Sequence, residues 1–381
     1  MEDSVTTINT SPTASSIPTP YFQDAFEKGN ASIGEGSFGS VYEVTPTPLG
    51  LAFLRSQGLI GDTVPRLVVK SPNGRRTGDP RERENLRTWR HKGIVQFFGE
   101  FPDRDNEKRH LVLEAMHGVG DGQLLMDNPR QLKGASPGEF WRYVMTREQM
   151  SDEVFRVIAY QLLLPLQYLH SYDVAHRDLK AENILCGHPL INTIRGMAPT
   201  VKLSDFGTAR ALNVEGQLGI TTRQGTTLAI EADGTKRWTG TAQYIAPELL
   251  ILGEQALAMA RELKIGQPEQ EIHFTADYST KCDIFSLGVT FFFMLTKSLP
   301  YRNANYGPLD LIEAYRMDNT TPAQRCLPIM NFFRIDPETI KLVLSMVSGD
   351  PNERPTAADL LNSSYFTSVK DDHGDELMMN E

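Results

Sequence analysis

This chain of 381 residues offers little on which disulfide, membrane or nucleic-acid chemistry could be built. Its three cysteines, Cys186, Cys282 and Cys326, lie far apart. They form neither a disulfide framework nor a zinc-ligand spacing, so reduced, intracellular thiols are expected. The longest apolar run, Leu287 to Leu295, is too short to cross a bilayer and suits a buried helix. No basic region followed by an apolar stretch opens the sequence, so no signal peptide is expected, and the reading is a cytoplasmic or nuclear protein with no membrane partner. A net charge of −10 argues against a nucleic-acid partner, whose mark is a dense basic patch. No internal repeat is visible. What is present is an ordinary globular mixture, 40% hydrophobic and 23% charged, which excludes wholesale disorder and collagen-like or coiled-coil architecture.

The composition divides the chain. Residues 1–25 hold a Ser/Thr/Pro-rich segment poor in large apolar side chains, and a disordered tail is expected there. Residues 26–116 carry β-branched and aromatic runs: Ser37 to Val44, Arg66 to Lys70, Ile94 to Phe98 and His110 to Met116 read as strands. Residues 117–367 turn helical. Ser151 can cap a helix whose apolar positions Val154, Ile158 and Leu162 recur at helical spacing, and Pro165 inside it should produce a kink. Residues 368–381 read as an acidic tail, with five acids in the eleven residues from Asp371. Four stretches rich in Gly, Pro or polar residues are expected as surface loops: Thr45 to Pro65, Gly118 to Glu148, Asn213 to Arg237 and Leu252 to Asp277.

Three motifs carry chemistry. Gly34-Glu35-Gly36-Ser37-Phe38-Gly39-Ser40-Val41 has the glycine spacing that lets backbone N–H groups approach a phosphate chain. A dinucleotide fold would need a helix directly after the glycines; here a second strand, Val41 to Val44, follows, which favours a flap over a mononucleotide. His176-Arg177-Asp178-Leu179-Lys180-Ala181-Glu182-Asn183 packs ionisable groups and an amide between apolar segments, a costly concentration unless a ligand uses it. Asp178 is suited to accept a hydroxyl proton and Lys180 to neutralise a transferring phosphoryl group. Asn183 and Asp205, the latter in Ser204-Asp205-Phe206-Gly207, offer hard oxygen ligands for Mg2+.

With these motifs in this order, the stretch from Ile33 to Phe366 resembles a eukaryotic protein kinase. Further landmarks stand in sequence: Leu67-Val68-Val69-Lys70, Gly240 to Glu248, Asp283 to Gly288 and Asp350 to Thr356. The resemblance implies an α+β, bilobed fold, with a small β-rich N-lobe (26–116) and a larger helical C-lobe (117–367). It implies ATP and Mg2+ as cofactors, protein substrates, and room for an upstream activating kinase. Lys70 would hold the α- and β-phosphates and pair with a helix glutamate. Glu82 fits the register, although only 12 positions separate it from Lys70 and it could instead cap its own helix, leaving Glu84. Ile33, Val41, Val68 and Leu185 would wall the adenine pocket, with Leu113 at its back and the backbones of Glu114 and Met116 on the adenine edge. Leu86, Phe97, Phe206 and His176 would form a hydrophobic column standing on Asp283, and Arg354 would pair with Glu248.

Lys180 and Gly240-Thr241 resemble the serine/threonine type, closest to the calcium/calmodulin-dependent and checkpoint-type kinases. Glu182 resembles the acid that reads a basic substrate residue in that group; Phe293 replaces a second such acid. Arg177 implies a pocket for a phosphate in the 44-residue segment from Asp205 to Glu248, which holds Thr221, Thr222, Thr226, Thr227, Thr235 and Thr239. The alternative within the fold is a catalytically weak pseudokinase acting as an ATP-binding scaffold, for which the short Lys70–Glu82 interval, Val68 and Pro165 speak.

Overall fold

The computed structural model describes residues 18–36, 39–73, 80–116, 140–146, 150–194, 196–212, 217–219, 228–230, 236–238, 242–251, 254, 275–277, 279–301, 311–313 and 321–378. Its first layer is a five-stranded antiparallel sheet of β1 (Phe26–Gly36), β2 (Gly39–Pro46), β3 (Leu67–Pro72), β4 (Phe97–Pro102) and β5 (Arg109–Glu114), in the spatial order β1-β2-β3-β5-β4. Register sets Lys70 opposite both Val41 and Leu111, in the middle of the sheet. Gly39 allows β2 to approach β3: a Cβ there would stand 2.4 Å from the Ser71 carbonyl oxygen.

Several sequence expectations change here. β1 was not foreseen, because Lys28, Gly29 and Asn30 interrupt any alternation; its ladder with β2 carries register shifts on either side of Ser32. Ile94 and Val95 are not in a strand. Instead Ile94 bridges Leu203 in parallel, and β4 begins at Phe97. Within the expected N-terminal tail, residues 22–25 form a helical turn, α1 (Phe22–Ala25), with Phe22 and Ala25 buried. The 45–65 stretch is no simple loop either, since it contains helix α2 (Pro48–Ser56). Thr47 caps α2, its Oγ accepting from Gly50 N–H and donating to the Asp24 carbonyl. Phe53 and Leu54 of α2 join Phe22, Phe26, Phe98 and Phe101 in a core covering the sheet face. Enough apolar side chains lay in these two segments to order them; polar neighbours disguised the pattern.

Helix α3 (Pro80–Thr88) follows β3, and the second core lies below, around α5 (Asp152–Ser171) and the buried helix Lys281–Thr296. Ser151 caps α5 as expected, accepting from Val154 N–H. Pro165 is accommodated inside that 20-residue helix. Its ring packs on Gly93, where a Cβ would come within 2.7 Å of Pro165 Cγ. Gln161 of the same helix bonds the Pro199 carbonyl and Val201 N–H, fastening the long hairpin of β7 (Ile184–Thr193) and β8 (Gly196–Leu203) to α5. Helix α4 (Phe140–Thr146) occupies part of the expected 118–148 loop, with Phe140 buried. At the C-terminus, helix Thr367–Met378 takes up most of the expected acidic tail, anchored by buried Val369. Of the two later insertions, the described pieces pair as Gln217–Gly219 with Thr275–Asp277 and Leu228–Ile230 with Lys236–Trp238. Among the described residues no helix is long and apolar enough to cross a membrane.

Two histidines make this fold acid-sensitive. Burial, with the charges of Lys92 and Lys202, lowers the His91 pKa from 6.5 to about 4. Burial also lowers that of His110, against the opposing pull of Asp103. Between pH 6.5 and about 4 the unfolded chain takes up a proton at His91 that the folded chain refuses, so stability falls as pH drops through that window. Denaturant melts across it should show declining stability, and His91→Gln should flatten part of the slope; a wild-type curve level across that window would contradict this.

Candidate active site

The sheet and α3 bring together the first charged group of the site. Lys70 Nζ stands 2.5 Å from Glu82 Oε1, with both side chains largely buried. Glu84, the alternative partner, is exposed. The short interval between Lys70 and Glu82 therefore still closes the pair. Lys70 Nζ is also 3.8 Å from Asp205 Oδ1. Asp205 has left-handed backbone angles, φ 57 and ψ 72, an uncommon conformation for a non-glycine residue that sets the carboxylate at this turn. Burial opposes its ionisation, but the charges of Lys70, His176 and Lys180 outweigh that and hold the carboxyl below its ordinary range.

The second group is built on the turn after β6 (Val174–Ala175). Lys180 Nζ lies 3.0 Å from Asp178 Oδ2. Asn183 Nδ2 donates to the Asp178 carbonyl at 2.8 Å and to its Oδ2 at 2.7 Å. Burial raises the Asp178 pKa, and nearby Asp205 adds to this while Lys180 opposes it. Burial likewise raises that of Glu182, whose Oε2 is buried without a hydrogen-bond partner among the described residues. A buried carboxylate oxygen left unpaired is costly, and such atoms call for an explanation.

A divalent cation can be tested against these donors. Both groups that Asn183 Nδ2 meets are acceptors, so the amide must present its nitrogen to them, which turns Oδ1 away as the remaining acceptor. With the ionised Asp205 this gives two hard oxygen donors, a set that suits Mg2+ completed by phosphate oxygens and water. Among the described residues no cluster of three or more His, Cys, Asp or Glu side chains could hold a metal alone. The residues present therefore fit an ion that arrives with a phosphate ligand.

The pocket walls occupy matching places. Val68 pairs with Leu113 across the sheet, and Ile33, Val41, Leu113, Met116 and Leu185 are half-buried. Glu114 N–H donates to the Gln96 carbonyl and Ala115 N–H to that of Arg66; Met116 N–H meets no protein acceptor among the described residues. Glu35 sits opposite Ser40, and Gly36 opposite Gly39, at the end of the β1–β2 hairpin, with Gly34 opposite Val41. Ser37 and Phe38 lie outside the described residues, as do Thr221, Thr222, Thr226, Thr227, Thr235 and Thr239.

The column expected through Leu86, Phe97, Phe206 and His176 is buried throughout. The His176 and Phe206 rings meet edge to face at 4.9 Å. Below them Asp283, fully buried, accepts from His176 N–H at 2.7 Å and Arg177 N–H at 2.8 Å. Arg354 holds Glu248 through two parallel bonds of 2.7 and 2.8 Å, as expected. Arg177 Nε donates to the Thr208 carbonyl, at the start of the segment that was expected to offer this guanidinium a phosphate.

Sequence reading missed four supports. Asn85 Nδ2 donates to the carbonyls of Phe206 and Ala209, tying α3 to the Asp205 turn. His170 Nε2 bonds Asp283 Oδ2 at 3.1 Å. Lys202 Nζ bonds both Glu114 oxygens, at 2.7 and 2.8 Å. Thr208 Oγ donates to the His176 carbonyl. All are contacts between distant segments, for which a single polar letter gives no signal. Asp283→Asn offers a check on their footing: its amide would set a donor against one of three donors, and the lost charge-assisted bonds should lower stability by roughly 2–4 kcal/mol in denaturant melts. An unchanged midpoint would mean that the carboxylate does not carry the turn.

Comparison with known proteins agrees with this geometry. The family model described as protein kinase domain matches residues 28–366. Serine/threonine-protein kinase RAD53 of Saccharomyces cerevisiae is 26% identical over 364 residues, 94% of this chain and 35% of that protein. Calcium-dependent protein kinase 6 of Plasmodium berghei is 26% identical over 61% of this chain and 12% of its own length. Mitogen-activated protein kinase kinase kinase 15 of Mus musculus is 28% identical over 74% of this chain and 16% of its own. The chain thus spans about a third or less of these relatives. A crystal structure of the Rad53 kinase domain and SCD2 superposes with a TM-score of 0.57 at 20% identity, covering 91% of this chain and 90% of that one, which shows a shared fold. With the family model covering nearly the whole chain and the bilobed fold matched, this chain belongs to the protein kinase family.

Proposed function

We propose that the chain is an active serine/threonine protein kinase, transferring the γ-phosphate of ATP to hydroxyl groups of protein substrates with Mg2+ as cofactor. The observation that carries this reading is the convergence of Lys70, paired with Glu82, on Asp205, beside an Asp178 that Lys180 and Asn183 hold in place. Lys70 would clamp the α- and β-phosphates, its own position fixed by Glu82. Asn183 Oδ1 and Asp205 would hold Mg2+, which when bound neutralises charge on the phosphate chain. Asp178 accepts the proton of the incoming hydroxyl as its oxygen attacks the γ-phosphorus and the bond to the β-phosphate oxygen breaks. Lys180 meets the charge on the transferring group. Of the three features that speak for a pseudokinase, the short Lys70–Glu82 interval, Val68 and Pro165, the first is compatible with a closed pair, Lys70 Nζ lying 2.5 Å from Glu82. Phosphorylation in the segment after Asp205, by this chain or an upstream kinase, would address Arg177.

The test is transfer of labelled phosphate from MgATP to a degenerate peptide library. Wild type should label Ser or Thr peptides, while Asp178→Asn, Lys70→Met and Asp205→Asn should each lose at least about a hundredfold in rate, several kcal/mol of barrier, with the fold intact. Robust ATP binding without transfer would instead favour the scaffold.

Glu182 supports a preference for substrates bearing a basic residue, since a guanidinium would satisfy its buried oxygen, which has no partner among the described residues. Glu182→Gln should raise KM about tenfold or more for arginine-containing peptides with little change in kcat, and leave peptides without a basic residue unaffected. Equal effects on both peptide classes would refute the assignment.

A further inference from the structure

Three guanidiniums from α3 and β5 meet one carboxylate of β4. Glu100 is buried, and Arg83 of α3 reaches it at 2.5 Å, Arg87 of the same helix at 3.2 Å and Arg109 of β5 at 3.7 Å. All three arginine side chains stay partly exposed. Beside them opens a cleft of about 420 Å3, whose lining includes Arg83, Asn106, Glu107, Lys108 and Arg109. None of the residues assigned above to nucleotide, metal or phosphoryl transfer lines it.

The charges there do not balance. Counted with Arg87 and Glu100, four cations face two carboxylates among the described residues. Acids close in sequence are engaged elsewhere: Asp103 meets His110 at 3.0 Å, and Asp24 pairs with Arg104. An excess of two positive charges matches a dianion, and guanidinium forks fit the oxygens of a phosphate.

The N-terminal segment enters the fold beside this cleft. Gln23 Oε1 accepts from Arg104 N–H at 3.1 Å, and the Arg104 guanidinium lies 6.0 Å from the centre of the Tyr21 ring. Asn106, on the cleft, is two positions further along, no more than about 8 Å away. Residues 1–17 lie outside the described residues. Their sequence holds Glu2 and Asp3, no Lys or Arg, and Ser4, Ser11, Ser15 and Ser16. Ser11, Ser15 and Ser16 precede Tyr21 by ten, six and five positions, a reach of up to roughly 17 to 34 Å at about 3.4 Å per residue. So short a tether would hold a phosphate on one of these serines at high effective concentration by the cleft.

We propose that this cleft binds a phosphoserine of the chain's own N-terminal segment, at Ser11, Ser15 or Ser16, with the phosphate between Arg83 and Arg109. The modification is a transfer from ATP, by this chain or by another kinase. The serine oxygen bonds to the γ-phosphorus, its proton is released, the bond to the β-phosphate oxygen breaks and ADP leaves. Docked there, the phosphate joins β5 to α3, the helix that carries Glu82. The unmodified segment has only the single carboxylates of Glu2 and Asp3, at its far end, to offer.

The test uses the full chain with phosphoserine incorporated at Ser11, Ser15 or Ser16, one position at a time, and follows the phosphorus NMR resonance across pH. A free phosphoserine loses its second proton at about pH 6. In at least one of the three proteins that midpoint should fall by about one pH unit or more, because neighbouring guanidiniums favour the dianion. Arg83→Gln and Arg109→Gln, made singly, should each return it most of the way. The three native cysteines are buried, so a nitroxide can be placed selectively on Asn106→Cys. With both arginines intact it should broaden the shifted resonance, which gives the answer if either arginine variant misfolds. Midpoints at about pH 6 in all three proteins, a shift that survives both substitutions, or a resonance the nitroxide leaves sharp would overturn the proposal. A shift that grows with protein concentration would mean that a second copy supplies the segment, and would overturn docking within one chain. No phosphoryl transfer is measured, so failure here leaves the kinase reading standing, and an inactive enzyme leaves the docking site intact.

Discussion

A single buried carboxylate underlies the architecture of the site. Asp283 sits within the helix Lys281–Thr296, fully out of water, and accepts three hydrogen bonds from the 170–177 region. Burial alone would keep it protonated; the bond from His170 and the charges and backbone donors around it reverse that balance and hold it ionised. Its two backbone donors are successive N–H groups, which requires the chain to turn sharply, and Arg177 accordingly adopts φ 67. That turn aims Asp178 into the cleft while His176 faces Phe206. The position of the turn that carries Asp178 therefore originates in a carboxylate buried beneath it.

From this footing the construction proceeds upward by contacts between segments remote in sequence. Asn85 reaches from α3 to two carbonyls beside the Asp205 turn. The Lys70–Glu82 pair then joins α3 to the sheet, and Lys70 in turn approaches Asp205. The result is a ring of constraints through sheet, helix and turn, in which each charge is placed by a neighbour in a different element. Such a ring suits preorganised electrostatics, because little need move when charge develops.

The sequence made the charged residues legible because each belongs to a dense local motif. Lys70, Asp178, Asn183 and Asp205 could be assigned from their immediate neighbours, and the register to Leu86 and His91 singled out Glu82. The supports were not legible. His170, Asn85 and Lys202 are single polar residues whose partners lie 88 to 124 positions away. The outer part of the N-lobe was misread for a different reason. α1 and α2 each contribute only a few apolar side chains, and neither has a hydrophobic face until the two are placed together on the sheet. Their order is a tertiary property, expressed through Thr47 bridging Asp24 and Gly50.

The brevity of α3 has a mechanical consequence. Nine residues rising about 1.5 Å each make a rod of only about 13 Å. Just past its far end, the 93–95 segment is hooked to Leu203 by two backbone bonds and wedged against Pro165. That hook acts as a fulcrum, and Glu82 stands near the tip of a short lever. For a given angle of swing, a short lever displaces its tip less than a long one, so small rocking leaves the salt link to Lys70 closed. Opening it takes a large rotation or a melted first turn, which makes this helix a coarse latch rather than a graded dial.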